Sequence, residues 1–188
     1  ARLGATYIQI DAPHYGLLLD PKTRGFYERQ GWSLDQWLSL GIELDNAVMY
    51  GFPDVTFGGN YSGVLGMQNR RTGQSMRLDP WPLNPMGHDA KDSKYRFQWT
   101  FPIMNSPNDP KVLYTTANVV FKSNDLGRNW KIISGDLTRN DPATLGASGG
   151  PLTKDQTSVE YYATIFAMAE SPMTSGLMWT GSDDGLIH

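Results

Sequence analysis

The chain has 188 residues, 39% of them hydrophobic and 19% charged, which is typical of a folded globular protein rather than a disordered one. Its net charge is −3 and it has no run of Lys or Arg, so we expect no nucleic-acid surface. The chain has no cysteine, which excludes disulfides and thiolate metal sites, and no apolar stretch approaches the ~18 residues that span a bilayer. With only three scattered histidines, we expect neither a cofactor nor a metal centre.

Residues 1–43 carry no motif that assigns them, and we place them in the first repeated unit of the chain. Residues 33–40 allow two interpretations. Ser33 and Gln36 fit a helix-capping box, whereas an alignment with later segments makes the second half of this stretch a strand. We favour the strand.

Three segments repeat one pattern along the chain, at residues 47–51, 111–115 and 176–180. Their aromatic positions, Tyr50, Tyr114 and Trp179, follow one another at spacings of 64 and 65 residues. Residues 101–107 also align with residues 166–172, including a shared Ser-Pro pair, whereas the first copy keeps only the hydrophobic outline of residues 37–40. Each copy reads as strand, turn and strand, so we expect a repeat protein.

A second motif follows the middle copy. Ser123, Asp125, Gly127 and Trp130 match the Asp-box pattern Ser/Thr-x-Asp-x-Gly-x-x-Trp at all four defined positions. An Asp in a tight turn can accept backbone N–H hydrogen bonds, Gly tolerates positive φ, and Trp can cover a neighbouring sheet. We therefore interpret Asp125 as a brace of a hairpin rather than as a catalytic acid.

These motifs give the chain a family resemblance. Together with residues 95–99, 106–114, 134–141 and 179–188, the Asp-box resembles bacterial BNR-repeat β-propeller proteins, which are related to sortilin-type receptor domains and xyloglucanase-like glycoside hydrolases. The resemblance implies a binding role and an extracytoplasmic location, periplasmic or secreted. The Arg-Ile-Pro motif of the sialidase branch does not occur, so sialidase activity is not expected.

The predicted fold class is all-β, as a partial β-propeller of about three blades. Residues 44–188 are assigned to the Asp-box repeats, with the last copy incomplete. Because propellers close with about four to eight blades, we expect the remaining blades or a protein partner to complete the ring. Residues 78–94 and 134–159 read as loop insertions, which in repeat folds collect on one face and carry binding functions.

The first insertion contains the candidate ligand-binding residues Trp81, His88 and Asp89. Trp81 either stacks on a sugar or partner side chain, or it pins the loop to the sheet. His88, Asp89 and Asp92 are close enough in sequence to hold a cation, but acidic clusters in loops are usually solvated, so we predict no metal there.

Other residues receive structural or open interpretations. Trp99, Trp130 and Trp179 recur at repeat positions and are predicted to be core residues. Asn60 begins a sequence that fits the N-glycosylation pattern. The catalytic residues, if there are any, stay unknown, since no spacing joins the available turn acids. These acids are Asp54, Asp183 and Asp184.

The leading functional hypothesis is a non-catalytic binding or scaffold module that engages a protein partner or a carbohydrate through loops on one face. The alternative is a glycoside hydrolase of the xyloglucanase-like type, with a site shared with blades outside this chain. A cleft with two carboxylates and exposed aromatic residues favours the hydrolase, whereas an apolar sheet face buried against another chain favours the scaffold.

Overall fold

The computed structural model describes residues 20–49, 54–150, 152–155 and 157–188. The chain divides into two compact units, Ala1–Pro53 and Asp54–His188. The predicted boundary between residues 43 and 44 therefore falls inside the first unit, and the division comes ten residues later.

The described part of the first unit is helical. Helix α1 (Pro21–Arg29) begins with proline at its first position, and the side chain of Asp20 caps it by accepting the Thr23 N–H at 2.8 Å. Helix α2 is Leu34–Met49. Arg24 on α1 donates to the carboxylate of Asp35 on α2 at 2.7 Å, which links the two helices.

Helix α2 overturns the expectation of a strand at residues 33–40 and again at residues 47–49. The segment has no proline, and Asp35 lies in the first turn of the helix, where a negative side chain interacts favourably with the helix dipole. The alignment that suggested a strand depended on a hydrophobic outline alone, and helix and strand patterns both satisfy such an outline over four residues. Tyr50 and Gly51 lie outside the described residues.

The second unit is built from short strands. In chain order they are β1 (Val55–Asn60), β2 (Val64–Asn69), β3 (Ser75–Arg77), β4 (Ile103–Asn105), β5 (Leu113–Thr116), β6 (Val120–Ser123), β7 (Lys131–Ile132), β8 (Ser148–Gly149), β9 (Lys154–Asp155), β10 (Ile165–Glu170) and β11 (Met178–Ser182). Single 3-10 turns lie at Tyr61–Gly63, Ala90–Asp92 and Pro142–Thr144. The described chain is thus mostly β-structure, in agreement with the predicted all-β class, apart from its two α-helices.

All strand pairs are antiparallel. The first sheet has the order β1-β2-β3, the second β4-β5-β6-β7 and the third β10-β11, while β8 and β9 form a separate hairpin. The large insertions predicted at residues 78–94 and 134–159 contain no strand except this hairpin among their described residues.

The second and third sheets carry the same unit at an offset of 65 residues, which confirms that part of the predicted repeat. Met104 pairs with Tyr114, and Ala169 pairs with Trp179 in the same register. The turns match as well, because the Ser106 N–H donates to the Val112 carbonyl at 2.9 Å and the corresponding Ser171 N–H donates to Leu177 at 2.8 Å. The first copy is helical at residues 47–49, so the repeat expected there is wrong.

Two apolar clusters stack these sheets. The cluster between the first and second sheets consists of Leu65, Leu78, Tyr95, Phe97, Phe101, Leu113, Ala117, Val119 and Phe121. The cluster between the second and third sheets consists of Val112, Tyr114, Val120 and Ile165, with Met104, Leu137, Met168 and Met178 packed against it. The second sheet is therefore covered on both faces.

Of the three tryptophans predicted to be core residues, one fits that prediction. Trp130 is partly buried and packs against the first cluster. Trp99 and Trp179 are exposed, so the prediction is wrong for them. Trp179 lies on the side of the third sheet that faces away from the second, and Trp99 lies in the loop before β4.

Candidate functional site

A cleft of about 450 Å³ lies at one end of the first sheet. The turn between β1 and β2, the end of β3 and the start of the first insertion form its walls. Its lining residues are Asn60, Tyr61, Ser62, Val64, Arg77, Asp79, Trp81, Pro82, Leu83 and Asn84. The volume falls within the range of small-molecule sites.

The turn between β1 and β2 places Tyr61 at the rim. The Asn60 side chain accepts the Tyr61 N–H at 2.8 Å, and Ser62 and Gly63 adopt positive φ angles of 62° and 74°. A Cβ at Gly63 would lie 2.7 Å from the ring of Phe97, so glycine is needed for this close approach. The result is a tight turn against the core, with the ring of Tyr61 exposed to solvent.

An ion pair forms the opposite wall. Asp79 accepts the Leu65 N–H through Oδ1 at 2.8 Å and binds Arg77 through Oδ2. The Asp79 side chain is 5% exposed, whereas the Arg77 side chain is 71% exposed. The carboxylate is therefore engaged at both oxygens, and the guanidinium keeps further N–H groups for a ligand.

Trp81 is partly buried in the core and also lines the cleft. It packs against the core cluster, meets Tyr95 edge-on at 4.9 Å between ring centroids, and has the Lys94 ammonium 5.1 Å from its own centroid. The indole N–H is buried without a hydrogen-bond partner. Trp81 thus pins the loop to the sheet, as one of the two interpretations held, while one side of it lines the cleft.

The other two candidate loop residues lie outside the cleft lining. His88 is exposed, and its carbonyl accepts the Tyr161 hydroxyl at 2.7 Å. Asp89 forms an ion pair with Lys91 at 3.4 Å. Tyr161, which follows the second insertion, also donates to the carbonyl of Pro85 at 3.1 Å. The two insertions contact each other where the Lys91 N–H donates to the Leu145 carbonyl at 2.9 Å. Across the described ranges, no group of three or more His, Cys, Asp or Glu residues is placed to hold a metal ion.

Sequence reasoning found Trp81 but missed the other residues that line the cleft. Tyr61 was visible only as part of a glycosylation pattern, and no sequence motif contained Arg77. In the structure Tyr61 meets Trp99 edge-on at 5.5 Å, and both rings are exposed. The sequence signal that could have identified Tyr61 is an aromatic residue in a short turn after a Gly-rich strand, because connecting turns lie on the surface and often carry binding residues.

The turn at residues 123–130 is held by its own polar groups. Ser123 donates to Asp125 at 2.7 Å and accepts the Gly127 N–H at 2.8 Å. Asp125 also accepts the side-chain and backbone N–H groups of Asn129, at 2.6 Å and 2.9 Å. Hydrogen bonds from the Asn129 and Ser123 side chains and the Asn129 backbone lower the pKa of Asp125 to about 2. Asp125 is therefore an ionised acceptor that closes the turn.

Of the remaining turn acids, Asp183 and Asp184 also bind backbone N–H groups, and Asp54 forms a surface ion pair. Asp183 accepts the N–H and hydroxyl of Thr164, both at 2.9 Å, and burial together with the nearby charge of Asp184 raises the pKa of Asp183. Asp184 accepts the Arg139 N–H at 2.7 Å. Asp54 pairs with Arg71 at 3.5 Å on the surface. Each of these carboxylates has a structural partner.

Comparison with known proteins adds no family to this description: no family model matches the chain, and no curated protein matches it. Within the described ranges, none of the helices has the length and apolar character that crossing a membrane requires.

Proposed function

We propose that this chain is a non-catalytic binding module that holds a carbohydrate chain in the cleft beside Tyr61. The observation that carries the proposal is the combination of an exposed aromatic ring and an exposed guanidinium in one cleft of suitable volume. An aromatic ring offers a flat surface to the C–H face of a sugar, and Arg77 offers N–H groups to its hydroxyls. The amides of Asn60 and Asn84 line the same space.

The chemistry of the cleft favours binding over hydrolysis. Glycosidases need two carboxyl groups about 5–10 Å apart, one as acid and one as base or nucleophile. Asp79 is the single carboxylate among the lining residues, and both of its oxygens are occupied. A hydrolase would need a second acid from outside these lining residues.

The framework of the proposal is an Asp-box propeller segment. Two observations support it: the sheet unit that recurs after 65 residues, and the polar closure of the turn at residues 123–130. Stacked sheets of this kind present their connecting loops at common edges, which is where the cleft lies. A secreted or periplasmic location, where polysaccharides are met, belongs to the same proposal.

The test uses soluble xyloglucan and cellulose oligosaccharides as probes, with calorimetry for binding and reducing-end release for hydrolysis. We expect binding without release of reducing ends, and a loss of affinity of about tenfold, or ~1.4 kcal/mol, in Tyr61→Ala and in Arg77→Ala. Tyr162→Ala and Arg71→Ala remove an equally exposed tyrosine and arginine away from the cleft and should leave affinity unchanged.

Three results would count against this function. Release of reducing ends by the purified chain would favour the hydrolase. Binding that Tyr61→Ala and Tyr162→Ala weaken alike, or no binding of either probe, would remove the cleft as a carbohydrate site.

A further inference from the structure

The aromatic surface at the cleft continues beyond the rim. Tyr61 lines the cleft, and its ring meets the ring of Trp99 edge-on with 5.5 Å between the centroids. Tyr61 is 44% exposed and Trp99 is 49% exposed, but Trp99 is not among the residues that line the cleft. The two rings therefore form one aromatic surface that begins inside the cleft and ends outside it.

The turn that carries Trp99 is fixed by the core on both sides. Phe97 and Phe101 flank the indole at a distance of two residues, and both rings are buried and pack edge-on against each other at 5.6 Å. The Phe101 N–H donates to the Gln98 carbonyl at 3.2 Å, which closes the turn. Because its two neighbouring rings are held in the core, the indole of Trp99 is held at the surface.

The turn that carries Tyr61 is tied to the same part of the chain. The hydroxyl of Ser62 lies 2.5 Å from the hydroxyl of Ser158, and two residues later Glu160 forms an antiparallel bridge with Gln98. One short segment therefore holds both turns. Since the positions of the two exposed rings are fixed in the free protein, stacking a ligand on them costs little conformational entropy.

The angle between the two rings restricts the shape of the ligand. Their planes are 76° apart. A flat surface, such as a face of crystalline cellulose, can lie against only one of two rings at this angle. A single glycan chain in solution can turn between neighbouring sugar units, so that one unit stacks on Tyr61 and another on Trp99.

We propose that Trp99 forms a second sugar-binding subsite beside the cleft, and that the ligand is a single soluble glycan chain that turns between Tyr61 and Trp99. The cleft holds one part of this chain, and the indole binds a sugar unit beyond the rim. This inference rests on the proposed function and adds to it the length and the shape of the ligand.

Calorimetry with cellulose and xyloglucan oligosaccharides of increasing length tests the second subsite. We expect affinity to rise with length until a sugar unit reaches Trp99. Trp99→Ala should lower the affinity for the longest oligosaccharide by about tenfold and leave the affinity for the shortest one that binds unchanged, whereas Tyr61→Ala should weaken both. Trp99→Phe keeps an aromatic face and should lose less. Trp179→Ala removes an exposed indole on the third sheet and is the matched control.

Co-sedimentation with microcrystalline cellulose tests the shape of the ligand. We expect the protein to stay in the supernatant at concentrations at which it binds the soluble oligosaccharides, and retention on the flat surface would overturn the proposal. Circular dichroism checks that Trp99→Ala keeps its fold, as an exposed position should allow.

Two calorimetric results would also overturn the second subsite. One is an unchanged affinity of Trp99→Ala for the longest oligosaccharide. The other is an equal loss for short and long oligosaccharides, which would indicate that the indole only supports the ring of Tyr61. In either case, binding that still depends on Tyr61 would leave the proposed function standing. If no oligosaccharide binds, the proposed function and this inference both fail.

Discussion

The indole N–H of Trp130 donates a 2.7 Å hydrogen bond to the backbone carbonyl of Leu78, 52 residues earlier in the chain. Trp130 ends the turn after β6 in the second sheet, and Leu78 directly follows β3 in the first. The same turn brings Gly127 against the Leu78 side chain, so its two ends fasten neighbouring sheets together. This contact fixes the edge from which the cleft is built.

Replacing Trp130 with Phe should destabilise the protein by about 1–2 kcal/mol beyond the loss of ring volume, because the Leu78 carbonyl loses its donor. Trp81→Phe is the matched comparison: it removes an indole of similar packing whose N–H has no acceptor. Urea unfolding of both variants measures the difference. Equal destabilisation by the two changes would show that the hydrogen bond contributes nothing.

Gly127→Ala should cost about 1–3 kcal/mol, because φ is +87° and the new Cβ would lie 2.9 Å from Leu78 Cδ1. Gly73→Ala has a similar φ of +71° with open space around it, so it isolates the backbone strain and should cost less. Gly135→Ala meets no atom and should be close to neutral. Thermal unfolding of the three variants should give this order, and a reversed order would contradict the contact with Leu78.

The lowered pKa of Asp125 predicts that the stability of the protein depends on pH. Because its folded pKa is about 2, below the value of 3.8 for a free side chain, its contribution to stability is present above pH 4 and is lost as the pH falls towards 2. The stability difference between the protein and Asp125→Asn should therefore be constant from pH 5 to 7 and shrink below pH 4. A difference that stays constant down to pH 2.5 would contradict the ionised turn.

Removing the Arg96 side chain should lower the free energy of unfolding more than removing an exposed arginine does. This buried side chain donates to Asp136 at 3.0 Å, to Thr138 at 3.1 Å and to the Ala163 carbonyl at 3.0 Å. Burial raises the pKa of Asp136, but hydrogen bonds from Thr138, from Asn118 and from Arg96 outweigh it and leave the pKa below its ordinary value.

Arg96→Met should cost ~3 kcal/mol at neutral pH, because it leaves a partly buried carboxylate without its cation. The loss should shrink below pH 4, as Asp136 becomes protonated. Arg71→Met, which breaks an exposed pair with Asp54, should cost less than ~1 kcal/mol. Urea unfolding at neutral and acidic pH checks both, and a loss of similar size in the two variants would contradict the buried network.

The parts of the fold that were predictable have local causes. The turn at residues 123–130 is held by hydrogen bonds between residues within four positions of one another, so the spacing of these residues in the sequence is enough to predict the turn. The match of residues 101–116 with residues 166–181 includes polar turn residues as well as apolar ones. Ser106 and Ser171 make the same backbone bonds, and that is why the register could be read from the alignment.

The remaining features depend on partners distant in sequence. Trp37 lies in α2, although the alignment predicted a strand there. The alignment was misleading because it matched apolar positions only, with no polar turn residue to fix its register. Asp79 is held in its site by a hydrogen bond from the Leu65 N–H, and Tyr161 donates to carbonyls of the first insertion more than 70 residues earlier in the chain. Sequence spacing does not encode such contacts, so the cleft emerged only from the structure.

Cross-strand nuclear Overhauser effects test the repeated register most directly. We predict that the backbone of Ala169 faces Trp179 in the way that Met104 faces Tyr114, with contacts also between Glu170 and Met178 and between Asn105 and Leu113. Cross-strand contacts that place Trp179 opposite any other residue would contradict the stacked repeat.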